Sequence, residues 1–227
     1  DPADPQVVGR ARPLMKQHVR TIDWLADSTD TVVRKVHAAE GHPGVLDVVE
    51  GRQFHLFDVH REEILRGRPG EIVAQRAGAI CRATVDGAVW ITQLKRREVP
   101  GRPSLKLPAT RALALAGVVL DVPEVAAPVH APPSSGATYR DISYEESAGV
   151  GYLRFDFYNG AMSTEQCRRL RQAYRYARSR RQTRVIVLMG GTDFFSNGIH
   201  LNVIEAADNP AEESWRNLHA INDVVRD

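Results

Sequence analysis

Over residues 28–40 apolar side chains recur at Val32, Val33, Val36 and Ala39, the spacing of one helix face, and Gly41-His42-Pro43-Gly44 stops the pattern at once. The period then changes. Short segments rich in β-branched and aromatic side chains, 45–49, 53–59, 71–74, 79–85 and 88–94, follow one another between turns bearing Gly or Pro. That spacing predicts a small barrel or sandwich. Asp86-Gly87 between the last two predicts a tight hairpin, because a two-residue type I′ turn needs positive φ at both central positions.

Residues 121–136 carry four prolines without periodicity, so a semi-extended linker is expected there. Beyond it the pattern reads strand, strand, helix, strand and helix, with strands at 142–146, 151–157 and 184–189 and a long helix at 163–180. Ser163-Thr164-Glu165-Gln166 has the form of a capping box, and Cys167, Leu170, Ala173, Tyr174 and Ala177 form one apolar stripe behind it. The run at 184–189 is almost unbroken apolar, as expected of a strand covered on both faces. It leads into Gly190-Gly191-Thr192-Asp193-Phe194-Phe195-Ser196-Asn197-Gly198-Ile199-His200-Leu201 and then a helical segment. A loop between a buried strand and a helix start offers backbone N–H groups to a ligand.

The expected organisation is a β domain over 1–110, a linker over 111–138 and an α/β domain over 139–227. The apolar run at 112–120 is less than half of the roughly 20 residues that span a bilayer. The opening lacks a Met and a signal peptide, and the end falls inside an amphipathic pattern, so an internal piece of a longer protein is expected.

Composition adds bounds. With 43% hydrophobic and 26% charged residues the chain sits far from the disordered corner. Cys81 and Cys167 lie in apolar patterns and form no CxxC, which argues against a disulfide framework or a zinc site and for a reducing, cytoplasmic setting. His37, His42, His55 and His60 lack ligand spacing, so no metal is expected. The net charge of +2 argues against a dedicated nucleic-acid binder. Charge is nevertheless uneven: eight Arg against one acid over 165–184, then six acids against two Arg over 201–227. The basic run reads either as a solvated helix face or as a surface for an anionic ligand.

The segment from Phe195 to Leu201, with Gly160-Ala161-Met162-Ser163 at a helix start before it, resembles the crotonase (enoyl-CoA hydratase/isomerase) superfamily over about residues 139–227. That resemblance implies the N-terminal part of a crotonase-like α/β domain. It implies that the backbone N–H of Ile199 is the first of two oxyanion-hole donors to an acyl-CoA thioester. Ser196, Asn197 and Gly198 would lie along the coenzyme A path, with Tyr158 and Asn159 near its adenine end. A fixed donor of this kind is worth on the order of 3 kcal/mol to a developing oxyanion. His200 stands either near the thioester or as a histidine that orders the loop. Asn197, Ile199 and His200 depart from the usual Ala, Ala and Asp, which disfavours ordinary hydration or isomerisation. The family's second donor and its acids come from later segments. The Arg run at 168–181 is a candidate for the coenzyme A phosphates.

The first half has a likeness of its own. Arg12-Pro13-Leu14-Met15-Lys16-Gln17, Ile22-Asp23-Trp24, the helix, His42-Pro43-Gly44 and the short strands resemble the OB-like C-terminal barrel domain of 10-formyltetrahydrofolate-dependent formyltransferases. Pro103-Ser104-Leu105-Lys106-Leu107-Pro108 only faintly echoes that family's catalytic loop and is set aside. The fold expected is therefore α/β plus β, a small barrel followed by part of a crotonase domain. This pairing is similar to a family of hydrogenase maturation factors. The resemblance implies formyl transfer from 10-formyltetrahydrofolate to coenzyme A, then decarbonylation of formyl-CoA to CO for a [NiFe]-hydrogenase. In that case the folate is held mainly by an upstream domain, and partners are small molecules and hydrogenase maturation proteins. Two alternatives stand beside it: an enoyl-CoA hydratase or isomerase acting on another acyl-CoA, and a formyltransferase module contacting tRNA.

Overall fold

A computed structural model describes residues 9, 13–41, 43–98, 101, 104–130 and 136–227. Arg12, His42, Pro103, the opening residues and the Pro132-Pro133-Ser134-Ser135 part of the expected linker lie outside the described residues.

A short helix α1 (Gln17–Arg20) precedes α2 (Thr29–His37), which begins where Ser28 Oγ accepts the Thr31 N–H at 3.2 Å. Six strands follow: β1 (Val45–Val49), β2 (Arg52–Glu62), β3 (Ile72–Arg76), β4 (Ala79–Ala83), β5 (Ala88–Arg96) and β6 (Lys106–Pro108). They form one antiparallel sheet in the order β1-β2-β5-β4-β3, and β6 pairs with β5 at Gln93, Leu94 and Lys95. Val32 and Val36 of α2 pack with Phe54, Leu56, Ile80, Ile91 and Leu94 in one core. Each such side chain, fully buried, contributes about 1.5–3 kcal/mol.

The sheet differs from the expected barrel in staying open. Among the described residues β1 pairs only with β2, and β3 only with β4. The free edge of β3 is instead covered by the returning chain: Gln75 N–H donates to Pro123 O, and Val125 N–H donates to Gln75 O, both at 2.9 Å. An edge strand needs such a cover, and here the proline-rich segment supplies it. The segment expected to be a linker is also structured at its start, where α3 (Ala109–Leu115) buries Ala112 and Leu113. Leu120 and Val122 then pack against the same core.

The β4–β5 hairpin forms, but not through a type I′ turn, since neither Asp86 nor Gly87 has positive φ. The Asp86 carboxylate is spent elsewhere, accepting the Thr29 N–H at 2.7 Å and the Thr29 hydroxyl at 2.8 Å. That ties the hairpin to the start of α2. Gly87 is needed for space, because a Cβ there would lie 2.7 Å from both Thr29 Oγ1 and the Arg66 guanidinium.

The second half begins with the hairpin β7 (Ile142–Ser147) and β8 (Val150–Phe155). A 3-10 turn, Tyr158–Gly160, leads to β9 (Ala161–Met162) and α4 (Thr164–Ser179), then to β10 (Val185–Met189), β11 (Gly198–Ile199), α5 (Leu201–Glu205) and α6 (Pro210–Arg226). The capping box forms, with Ser163 Oγ accepting the Gln166 N–H at 3.3 Å and Gln166 Oε1 accepting the Ser163 N–H at 2.9 Å. Cys167, Leu170, Ala173 and Ala177 are buried against the hairpin, whereas Tyr174 is half-buried.

Strand β10 runs parallel to β8 but is not covered on both faces as expected; Val185 is 56% exposed. It is an edge strand, pairing only with β8 among the described residues. The Arg run is a correction of a different kind. Arg169 grips Asp141 through two bonds at 2.8 and 2.5 Å, Arg171 meets Asp223 and Asp227, Arg175 meets Asp227, and Arg180 meets Glu146. Arg171 and Arg175 are thus matched to the acidic end of α6, and Arg169 and Arg180 to carboxylates just before and within β7, so these four guanidinium groups are not held free for coenzyme A.

The two halves interlock. Asn202 Nδ2 donates to Lys106 O at 2.9 Å, Lys106 Nζ reaches the Tyr158 hydroxyl at 2.6 Å, and Val203 of α5 is buried in the first half's core. On the other side of the junction Arg76, over the Trp90 ring, donates to the carbonyls of Val125 and Tyr139.

Candidate functional site

Strand β10 delivers the chain into a loop that opens on two closely packed glycines, of which Gly190 faces backbone and has no room for a side chain. A Cβ at Gly190 would lie 2.4 Å from Phe195 Cα, and one at Gly191 would lie 2.0 Å from Asp156 Oδ1. The loop then folds back onto the turn before α4. Asn197 N–H donates to Gly160 O at 2.7 Å, and Asn197 Nδ2 donates to Asn159 O at 3.0 Å. Asn159 itself sits at φ 52°, a conformation that Asn tolerates better than most residues. Ser196 Oγ donates to Met162 Sδ at 3.2 Å and accepts the Gly198 N–H at 3.1 Å.

Gly198 has φ 81°, and a Cβ there would meet nothing within 4 Å. Its outer side is open to a close approach. Ile199 follows in the β11–β9 pair, opposite Met162, so its backbone is fixed by parallel pairing. Asn159, Ser196, Asn197, Gly198 and Ile199 thus form one continuous wall at the carboxyl ends of β8 and β10.

Two of the residues named from the sequence face elsewhere. His200 is 7% exposed and caps α5, its Nδ1 accepting the Val203 N–H at 3.4 Å. Burial pulls its pKa down to about 4, so the ring is neutral at ordinary pH. Tyr158 turns toward the first half, where its hydroxyl meets Lys106, and burial together with Glu40 pushes its phenol well above the usual range.

Asn217 of α6, which the sequence reading passed over, completes the wall from behind. It is 1% exposed; its Oδ1 accepts the His200 N–H at 3.1 Å and its Nδ2 donates to Met162 O at 2.8 Å. One amide thereby fastens β9 and the residue after Ile199 to α6. An Asn inside a helix, where its propensity is poor, was the available sign. Among the described residues no group of three or more His, Cys, Asp and Glu could hold a metal ion. Cys81 and Cys167 are buried free thiols, each pushed up to about 12 chiefly by burial. Among the described residues no helix is long and apolar enough to cross a membrane.

Comparison with known proteins gives the open sheet its class: residues 14–102 match the formyl transferase C-terminal domain. The whole chain goes further than that domain. It is 47% identical over 223 residues to hydrogenase maturation factor HoxX of Bradyrhizobium diazoefficiens, covering 98% of this chain and 36% of that protein. The crystal structure of HypX from Aquifex aeolicus in complex with tetrahydrofolic acid superposes with a TM-score of 0.89 at 46% identity, over 95% of this chain and 37% of that one. A multiply substituted variant of the same HypX gives a TM-score of 0.87 at 47% identity, over 95% of this chain and 38% of that one. The chain therefore resembles a hydrogenase maturation factor of the HoxX and HypX kind along nearly its whole length, and it spans little more than a third of these relatives.

Proposed function

We propose that this chain works as one portion of a cytoplasmic hydrogenase maturation enzyme that moves a formyl group from 10-formyltetrahydrofolate to coenzyme A and decarbonylates formyl-CoA to CO. The observation that carries this reading is the physical union of a formyl transferase C-terminal domain with an α/β half whose ligand-facing loop follows a parallel strand. On this reading the second half is the beginning of a crotonase-like domain. Gly198 leaves room for the pantetheine arm, and the Ile199 N–H, held by β9, is a preorganised donor to the formyl oxygen. Asn197 and Asn159 brace the turn that the coenzyme passes, Ser196 sets the Gly198 N–H, and His200 shapes the loop as a helix cap. The folate is held mainly by residues of the longer protein, and the two buried free thiols fit a reducing compartment.

The test is CO release. The longer protein, supplied with 10-formyltetrahydrofolate and coenzyme A, is expected to shift the haemoglobin difference spectrum to the carbonyl form. The 227-residue chain alone is expected to leave it unchanged. No CO from the folded longer protein that is active as a formyltransferase would reject the decarbonylation.

A further inference from the structure

A cavity of about 950 Å³ lies between the two halves, outside the loop just described. Its walls are α3 and the 124–130 segment on one side and the outer face of α4 on the other, and of the loop-site residues it shares only Tyr158. The helix explains the second wall: Cys167, Leu170, Ala173 and Ala177 point into the core, which leaves Arg168, Arg169, Gln172 and Tyr176 on the opposite side. The volume suits an organic ligand of moderate size.

The charges around it are unevenly satisfied. Arg169 is matched to Asp141, Glu213 accepts the Thr164 hydroxyl at 2.7 Å, and Glu124 accepts the Ala77 N–H at 3.1 Å. Arg111 of α3 and Arg140, just ahead of β7, line the cavity with no carboxylate in ion-pair range among the described residues. Arg140 Nε is buried without a hydrogen-bond partner. Gln93, 5% exposed, lines the cavity with its Oε1 also buried and unpartnered. A buried acceptor and a buried guanidinium donor without partners, on residues that line one cavity, are costly, and turning either side chain toward a ligand that offers the converse group relieves that cost.

We propose that this cavity binds a phosphate-bearing small molecule, whose anionic oxygens pair with Arg111 and Arg140 while Gln93 Oε1 accepts an O–H or N–H of the ligand. Guanidinium forks suit phosphate oxygens, and opposition from two walls would make the ligand a bridge between the halves. The proposal does not depend on the loop reading, because apart from Tyr158 the two sites draw on different residues.

The experiment is calorimetric titration of the chain with inorganic pyrophosphate, alone and in saturating coenzyme A. Saturable binding that survives coenzyme A is expected. Arg111→Gln with Arg140→Gln should weaken it at least about tenfold, and Arg181→Gln, a charge control outside the cavity, should not. Gln93→Glu, nearly isosteric, sets a negative charge against the ligand and should weaken binding as well, which decides the matter should the double variant fail to fold. No binding, binding unaffected by both cavity changes, or complete displacement by coenzyme A would overturn a separate anion site.

Discussion

The Asn217 side chain satisfies two backbone groups that have no water to turn to. Asn217→Ala leaves Met162 O and the His200 N–H unpaired, and each orphaned buried group costs about 1–3 kcal/mol. Urea denaturation should therefore register a loss in that range or above, and Asn217→Asp, which sets a buried carboxylate oxygen against the Met162 carbonyl, a loss at least as large at neutral pH that shrinks as the acid is protonated. His200 carries a pH dependence with a definite sign. Its folded pKa, about 4, lies below the 6.5 of the free ring, so the unfolded chain takes up the proton first. Its contribution is complete above 6.5 and is lost as pH falls from 6.5 toward 4, by about 3 kcal/mol in all. His200→Gln should flatten the stability profile across that window in denaturant titrations at stepped pH. At this scale the sequence showed the loop residues but not their directions. That Ser196, Asn197 and Gly198 share one loop was legible because short motifs fix backbone geometry, whereas the burial of His200 and Asn217 depends on α6 arriving from later in the chain.

Elements were legible where the periodicity was strong and local. Helix α4 could be read to within a residue because its capping box and apolar stripe are written inside it. The Asp86-Gly87 hairpin was legible as a hairpin and illegible as a turn, since the N–H and hydroxyl of Thr29 at a distant helix start compete for the Asp86 carboxylate. Strand β10 shows the opposite limit: hydrophobicity reports what a strand can bury, not what is present to bury it. The glycine pair after β10 yields a sharper expectation. Gly190→Ala drives a methyl into the backbone of Phe194 and Phe195 and should cost about 1–3 kcal/mol in thermal unfolding, with faster proteolysis in the 190–197 loop. An alanine at Gly198, where the space is open, meets only the φ penalty and should leave that loop equally resistant.

On the scale of the molecule, the division into a β half and an α/β half could be read from the change of period near the prolines. The open sheet could not, because its closure depends on whether β1 or the 123–125 segment reaches the β3 edge, a long-range competition that leaves no local trace. Nor could the shared core. With Val203 packed among first-half residues, the chain should unfold as one unit, so far-UV circular dichroism and tryptophan fluorescence from Trp24, Trp90 and Trp215 should trace coincident transitions. Two separated transitions would show that the junction is weaker than its contacts imply.

The intrusion of α5 into the first half also bears on how such a protein can change over generations. Exchange of the second half by recombination at the prolines would strip Val203 and Ala206 from the first half's core and leave a hole where they pack. The bond from Asn202 to the Lys106 carbonyl, 96 positions away in sequence, would go with them. Shuffling at that boundary is therefore penalised by the folding of the upstream half. Lineages should keep the pair intact and repair substitutions on one side of the seam with substitutions on the other.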